Sequence, residues 1–374
     1  YNLQANGRFG ERGALDASGN RILVGAPGEF GTSGGAAIYD DRGRYVGISL
    51  RPYRLSTQTT MGDDPTANLG FGVGASVVTD GLYVVGTAPT DTNLKETLYN
   101  FRYRGPSWTP LAIDDTLTPA ALPKSKVGSS LSIDGGTAVA GAQDYDGRGA
   151  AFVFTNTPGT DDWQLASVLQ VSGIAIGSHF GSSVSIDGDT IVVGAPDVSN
   201  GNGAAYVYQR LGADWPLVKT LDRGTLSGFG RAVDVDGATI VVGADNAASV
   251  FEFTSGQWTS AAQLSDTGDF GVSVAVDRDS IVVGAPQASS LAGAVSVFTR
   301  DASGGGWSRQ GSPLTVLTGA AGDQLGRAVD ISGDSILIGA PGVASAQGAA
   351  YVFTRAGAVW SQQEKLSVGS GLAG

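Results

Sequence analysis

The chain of 374 residues contains no cysteine, a single histidine (His179) and a single methionine. Without thiols there is no disulfide scaffold, thiol nucleophile, iron–sulfur cluster or thiolate zinc site. One imidazole is too few for multi-histidine zinc coordination, and a Ser-His-Asp triad would have only His179 as its base. Charge is also scarce. Charged residues make up 16%, low for a helical protein. With 23 basic against 35 acidic side chains the net charge is −12, which speaks against nucleic acid, because neutralising phosphates takes clustered Lys and Arg. No run approaches the ~18 apolar residues of a membrane-spanning helix, so membrane insertion is not expected. A chain that begins at Tyr1 rather than Met is expected to have lost a leader or to be an excised domain.

Glycine is what the chain has in excess: 58 residues, about twice the average usage of ~7%. Proline, at 14, and the hydrophobic content, at 41%, fit neither collagen nor a disordered linker. An internal repeat accounts for the excess. Residues 180–208 read FGSSVSIDGDTIVVGAPDVSNGNGAAYVY, residues 270–298 FGVSVAVDRDSIVVGAPQASSLAGAVSVF and residues 325–353 LGRAVDISGDSILIGAPGVASAQGAAYVF. Degenerate copies start at Phe9, Phe71, Val127 and Phe229, giving seven in all. The glycine of each "GAP" element follows the "FG" aromatic or aliphatic residue by 14 positions in five copies, by 15 in the second and by 16 in the first. Intervals between copies stretch from 41 to 62 residues. A fixed motif with elastic intervals means a rigid unit joined by variable loops. All six tryptophans (Trp108, Trp163, Trp215, Trp258, Trp307 and Trp360) occupy one slot near the end of a unit, where they are expected to be packing anchors at the start of an outer strand.

Each unit holds four short β-branched and aromatic runs, which in the fourth copy are Ser182–Ile186, Thr190–Gly194, Ala204–Gln209 and Trp215–Leu221. Asp187-Gly188 between the first two is a two-residue hairpin signal, repeated at Asp134-Gly135, Asp236-Gly237 and Ser332-Gly333. No helix-length amphipathic segment occurs. The pattern predicts an all-β chain: a seven-bladed β-propeller with four antiparallel strands per blade. It is read as one domain, 1–374, with approximate blades 1–62, 63–118, 119–170, 171–222, 223–264, 265–317 and 318–374. The last blade is expected to come mostly from the C-terminal residues and to pack on the first.

These units resemble FG-GAP repeats, the family that builds the seven-bladed propeller of integrin α subunits. More specifically, they resemble short bacterial repeats in which FG-x-S-V and GAP precede GAAYVF-x-R and a Trp. The resemblance implies a role in binding or adhesion at a cell surface or outside the cell. Integrin-type blades often carry a calcium loop, D-x-D-x-D-G, between the first two strands. Here Ile186-Asp187-Gly188-Asp189-Thr190 leaves a two-residue turn, too short to gather the 6–8 oxygens that calcium takes. Asp187, Asp189, Asp277 and Asp279 are therefore read as turn formers, and no metal site is assigned.

Chain connectivity puts the loops after "GAP" and the links between blades on one face, called the top. Variable loops on a rigid frame are where binding residues tend to sit. The candidates are Phe30 in the first blade, Asp144, Tyr145, Asp146 and Arg148 in the third, Asp197, Asn200 and Asn202 in the fourth, and Asp245 and Asn246 in the fifth. Carboxylates and amides beside an aromatic ring suit a sugar, and the same oxygens suit calcium; the bland alternative is ordinary turn chemistry. Blades 1 and 2 are rich in Arg and Tyr, with Arg51, Tyr53, Arg54, Tyr99, Arg102, Tyr103 and Arg104 as candidates for a protein interface. The whole net charge lies in residues 127–374, which hold 11 basic and 23 acidic side chains. No residue is assigned a catalytic role: His179, on a link between blades, has no partner visible in the sequence, and Asp114-Asp115 and Asp161-Asp162 would point to opposite faces of a strand.

The expectation is a non-enzymatic, secreted or surface-bound module without a cofactor, recognising a glycan or a surface protein. A structural subunit of a surface layer or filament, self-associating or docking on a neighbouring domain, is the alternative, and a polysaccharide-acting enzyme stands third.

Overall fold

The computed structural model describes residues 127–157, 163–224, 226–301 and 306–367 with their side chains, and between Leu15 and Pro110 the backbone of eight strands. The strands form four-stranded antiparallel sheets in strict chain order. Two sheets arise before residue 127, and five arise from 127 onward, the last made wholly of Ala328–Ser332, Ser335–Ala340, Ala349–Ala356 and Val359–Leu366. First strands of successive sheets adjoin, and the first strand of the last sheet also adjoins that of the first sheet, Leu15–Ser18. The all-β, propeller-like expectation holds. In the fourth sheet the strands run Ser183–Asp187, Thr190–Ala195, Ala204–Gln209 and Leu217–Leu221, within two residues of the sequence reading. Helical segments among the described residues are single turns of three or four residues, in the loops after GAP.

The core lies between sheets rather than inside any one of them. Val139, Val153 and Leu169 of the third sheet pack on Phe180, Ile191 and Val193 of the fourth. The same layering joins fourth to fifth, fifth to sixth and sixth to seventh. The "FG" position fills each layer: Phe180, Phe229, Phe270 and Leu325 are wholly buried. Second strands such as Thr239–Ala244 are buried along their whole length, so both faces are apolar and no alternation survives in the sequence.

The motif glycines are contact points between blades. A Cβ on Gly194 of "GAP" would stand 2.0 Å from the carbonyl oxygen of Gly230 in the next blade's "FG". Gly181 of "FG" has φ of +87° and its Cβ would meet the Ala150 oxygen at 2.2 Å. The serine of FG-x-S completes the joint: Ser183 Oγ donates to Gly230 O at 2.8 Å, and Ser130 and Ser273 repeat this to Gly181 and Gly326.

The aspartates at the opposite turns do more than form turns. The Gly188 N–H donates to Asp134 and the Gly237 N–H to Asp187, each at 2.7 Å. Asp236 and Asp277 accept in the same way from the Arg278 and Gly333 N–H groups. Each is a tie to the following blade. The aspartate at the end of the turn pairs within its own blade with the arginine of YVF-x-R: Asp189 with Arg210, Asp279 with Arg300, Asp334 with Arg355. That arginine also lies over the blade's tryptophan, at 4.4 Å for Arg210 and Trp215 and 4.5 Å for Arg300 and Trp307, and reaches back to Thr137, Thr239 or Ser280 of the preceding blade. Five of the six tryptophans are anchors, as expected: Trp163, Trp215 and Trp258 are buried, Trp307 and Trp360 half-buried, while the side chain of Trp108 lies outside the described ones.

Candidate functional site

The loops after GAP and the links between blades do share a face. The N–H groups of Gly177 and Gly228, both on links, donate to the carbonyls of Gly147 and Gly201 in those loops. The residue before each "FG" is left-handed in every blade that shows it: His179 at φ +51°, Gly228 at +65°, Asp269 at +63° and Gln324 at +57°. A non-glycine residue held there by tight neighbours projects its side chain in a fixed direction.

In the fourth blade that residue is His179, and its side chain lies between two of the predicted aspartates. Nδ1 is 2.6 Å from Asp197 Oδ2, and Nε2 is 3.8 Å from Asp144 Oδ1. Asp144 comes from the third blade's loop and Asp197 from the fourth's, so the imidazole joins two blades. All three are accessible, with 41% of the His179 side chain, 29% of Asp144 and 50% of Asp197 exposed. The histidine that lacked a visible partner in the sequence thus has two, because both lie in other loops.

A second polar cluster sits over the fifth and sixth blades. Arg231 Nη1 is 2.7 Å from both Asp245 and Asp269. Asn246 Oδ1 accepts the Asp269 backbone N–H at 3.1 Å, and Gln287 Nε2 donates to Asp269 Oδ2 at 3.3 Å. Asp245 and Asn246 were read from the sequence. Arg231, Asp269 and Gln287 were not, although each occupies a motif-adjacent slot that varies among copies.

The other candidates divide. Tyr145 packs edge-on against Phe152, with ring centres 5.5 Å apart, so its ring is partly committed to the core. Arg148 bonds the Ile174 carbonyl of the link and pairs with Asp146 at 3.3 Å. Asn200 and Asn202 are exposed at the rim of the fourth blade's loop. Phe30, Arg51, Tyr53 and Arg54 lie outside the described residues. Tyr99, Arg102, Tyr103 and Arg104 fall in the third strand of the second sheet, Thr97–Arg104, described as backbone alone. Asp161 and Asp162 also lie outside. Among the described residues no group of three or more His, Asp or Glu side chains is placed to hold a metal ion.

Chemically, the face offers carboxylate oxygens from Asp144 and Asp197, an imidazole held between them, and amides at Asn200 and Asn202. These are acceptors and donors for hydroxyl and amide groups.

The FG-GAP repeat family matches the sequence over residues 163–208 and 308–353. No curated protein matches the chain. Among solved structures, a chain in the crystal structure of a mitotic checkpoint complex superimposes with a TM-score of 0.52 at 14% identity, over 76% of each chain. That likeness shows a shared propeller-like fold. The two repeat matches and the repeated four-stranded sheets are consistent with a propeller-like FG-GAP protein.

Proposed function

We propose that this FG-GAP repeat protein is a non-enzymatic binding module, working outside the cell or at its surface, that recognises a glycan or a protein through the loops of its top face. FG-GAP propellers commonly serve binding and adhesion, which supports the reading in its coarse form. The observation that carries the finer form is the placement of His179 between Asp144 and Asp197, with the carboxylates of two successive loops held apart by one imidazole. The Asp197 carboxylate, with Asn200 and Asn202 exposed in the same loop, offers acceptors and donors suited to a sugar ring or a peptide backbone. Rigid blades beneath fix these loops, so little ordering cost accompanies binding.

A glycan array probed with and without calcium, and with a chelator, tests the reading. Binding to a defined glycan class is expected. Asp197→Ala and His179→Ala are each expected to weaken it roughly 10-fold or more, the usual effect of losing one charge-assisted hydrogen bond. No binding to the array under either condition, together with no protein captured through this face, would sink it.

A further inference from the structure

The sixth blade ends its outer strand early. Trp307–Arg309 has three residues, where the outer strands of the fifth and seventh blades, Gln257–Ser265 and Val359–Leu366, have nine and eight. Gly311, at φ +69°, and Pro313 follow. The chain regains the sheet only at Leu314, which exchanges both backbone hydrogen bonds with Val295. The detour opens a cleft of about 730 Å³ on the rim between the sixth and seventh blades. Pro313, Leu314 and Leu317 form one wall, and Phe353, Val359 and Trp360 the other.

Two properties set this cleft apart. None of its lining residues is charged, on a chain of net charge −12. Its lips are aliphatic and open to solvent, Leu317 fully and Val359 at 68%. Beside it runs the outer strand of the seventh blade, which among the described residues pairs only with Ala349–Ala356, so alternate peptide groups on its other edge are left unpaired by them. Along that strand no charge appears before Glu364. Trp360 is a poor platform for a sugar, because the Arg355 guanidinium lies over its ring at 5.1 Å and its indole N–H donates to Gln310 at 2.9 Å.

We infer that the cleft docks an extended, uncharged peptide segment of a partner protein. The segment lies along Val359–Gln362 as an added strand and places aliphatic or aromatic side chains between Leu317 and Trp360. Main-chain bonding to the strand supplies register, and the uncharged apolar walls select against charged sequences. The site is on the rim and does not depend on the top-face reading.

Selecting phage-displayed random nonapeptides on the full chain tests this. Enriched peptides are expected to be neutral, with apolar residues at alternate positions. Leu317→Asp and Val359→Asp are each expected to weaken their binding at least 10-fold while leaving the thermal transition in place, since both side chains are exposed. The chain has no cysteine, so a dye on Ser312→Cys reports on this cleft alone and should respond on titration with a selected peptide. The inference is overturned if no peptide is enriched, if the enriched peptides require charge, if both variants bind as tightly as the parent, or if neutral malto- and cello-oligosaccharides rather than peptides change the dye signal.

Discussion

The two aspartates on either side of the turn glycine Gly188 carry unequal weight. Asp187 accepts the Gly237 N–H of the next blade at 2.7 Å, whereas Asp189 faces solvent with Arg210, 70% of its side chain exposed. Asp187→Ala leaves a backbone donor without its carboxylate, which is expected to cost ~1–2 kcal/mol. Asp189→Ala removes one exposed ion pair and is expected to cost no more than ~0.5 kcal/mol. Urea denaturation of the two variants decides the matter, and equal costs would contradict the tie between blades. Gly194→Ala is the harsher change. Its methyl would sit 2.0 Å from a backbone oxygen with Ser183 Oγ at 2.2 Å, so the blades must separate locally. A loss above the ~1–3 kcal/mol typical of overpacking, read from the same denaturation curves, is expected.

At the level of the element, the repeat is a joint as much as a sheet. Arg300 lies over Trp307, pairs with Asp279 and Glu252, and donates to Thr239 in the blade before. Lysine keeps the charge but neither the planar stack nor the fork of donors. Arg300→Lys is therefore expected to destabilise by ~1–2 kcal/mol, measured by thermal melting at fixed pH; a variant as stable as the parent would show that the stem alone matters. Much of this element is legible in the sequence. β-branched runs, hairpin dipeptides and seven phased copies give the strands to within two residues in the fourth blade, and the single slot of the tryptophans gives their anchoring. The arginine of YVF-x-R can be seen but not interpreted, because its partners sit in two blades. His179 has the same difficulty: Asp144 and Asp197 are 35 and 18 residues away, and only the ring brings them together. Distances between loops are set by packing, and no local pattern encodes them. The rim cleft did leave a trace, in Gly311 and Pro313 after Trp307, which a search for repeated features passes over because it is a departure from the repeat.

Across the whole molecule, the first strands meet a problem common to any ring of sheets: each presents an unpaired edge to the interior. A side chain from the preceding blade fills it. Ser132 accepts the Ile186 N–H at 3.1 Å, Ser185 the Val235 N–H at 3.2 Å, and Asp234 the Val276 N–H at 2.7 Å. The sixth blade has Ala275 at this position, a methyl that cannot accept, and the Ile331 N–H turns to Asp330 of its own strand at 2.9 Å. Asp234 is the one carboxylate among these three cross-blade acceptors, and it also receives the Ser185 hydroxyl at 2.8 Å, so it stitches three consecutive blades. Burial raises its pKa from 3.8 to about 6, against the opposing pull of those hydrogen bonds. Between these two values the folded chain keeps a proton that the unfolded chain has released, so folding takes up a proton there. The stabilisation this brings is complete below about pH 4 and is lost as pH rises through about 6. At about 1.4 kcal/mol per pKa unit, the span is of order 3 kcal/mol. Asp234→Asn has no such dependence and keeps an amide oxygen for the Val276 N–H. Its stability relative to the parent is therefore expected to improve from pH 4.5 to pH 8, by ~2 kcal/mol, in paired urea titrations. A difference that stays constant over this range would mean that the carboxylate is solvated well enough to ionise at its ordinary pKa, and that the inner ring admits water.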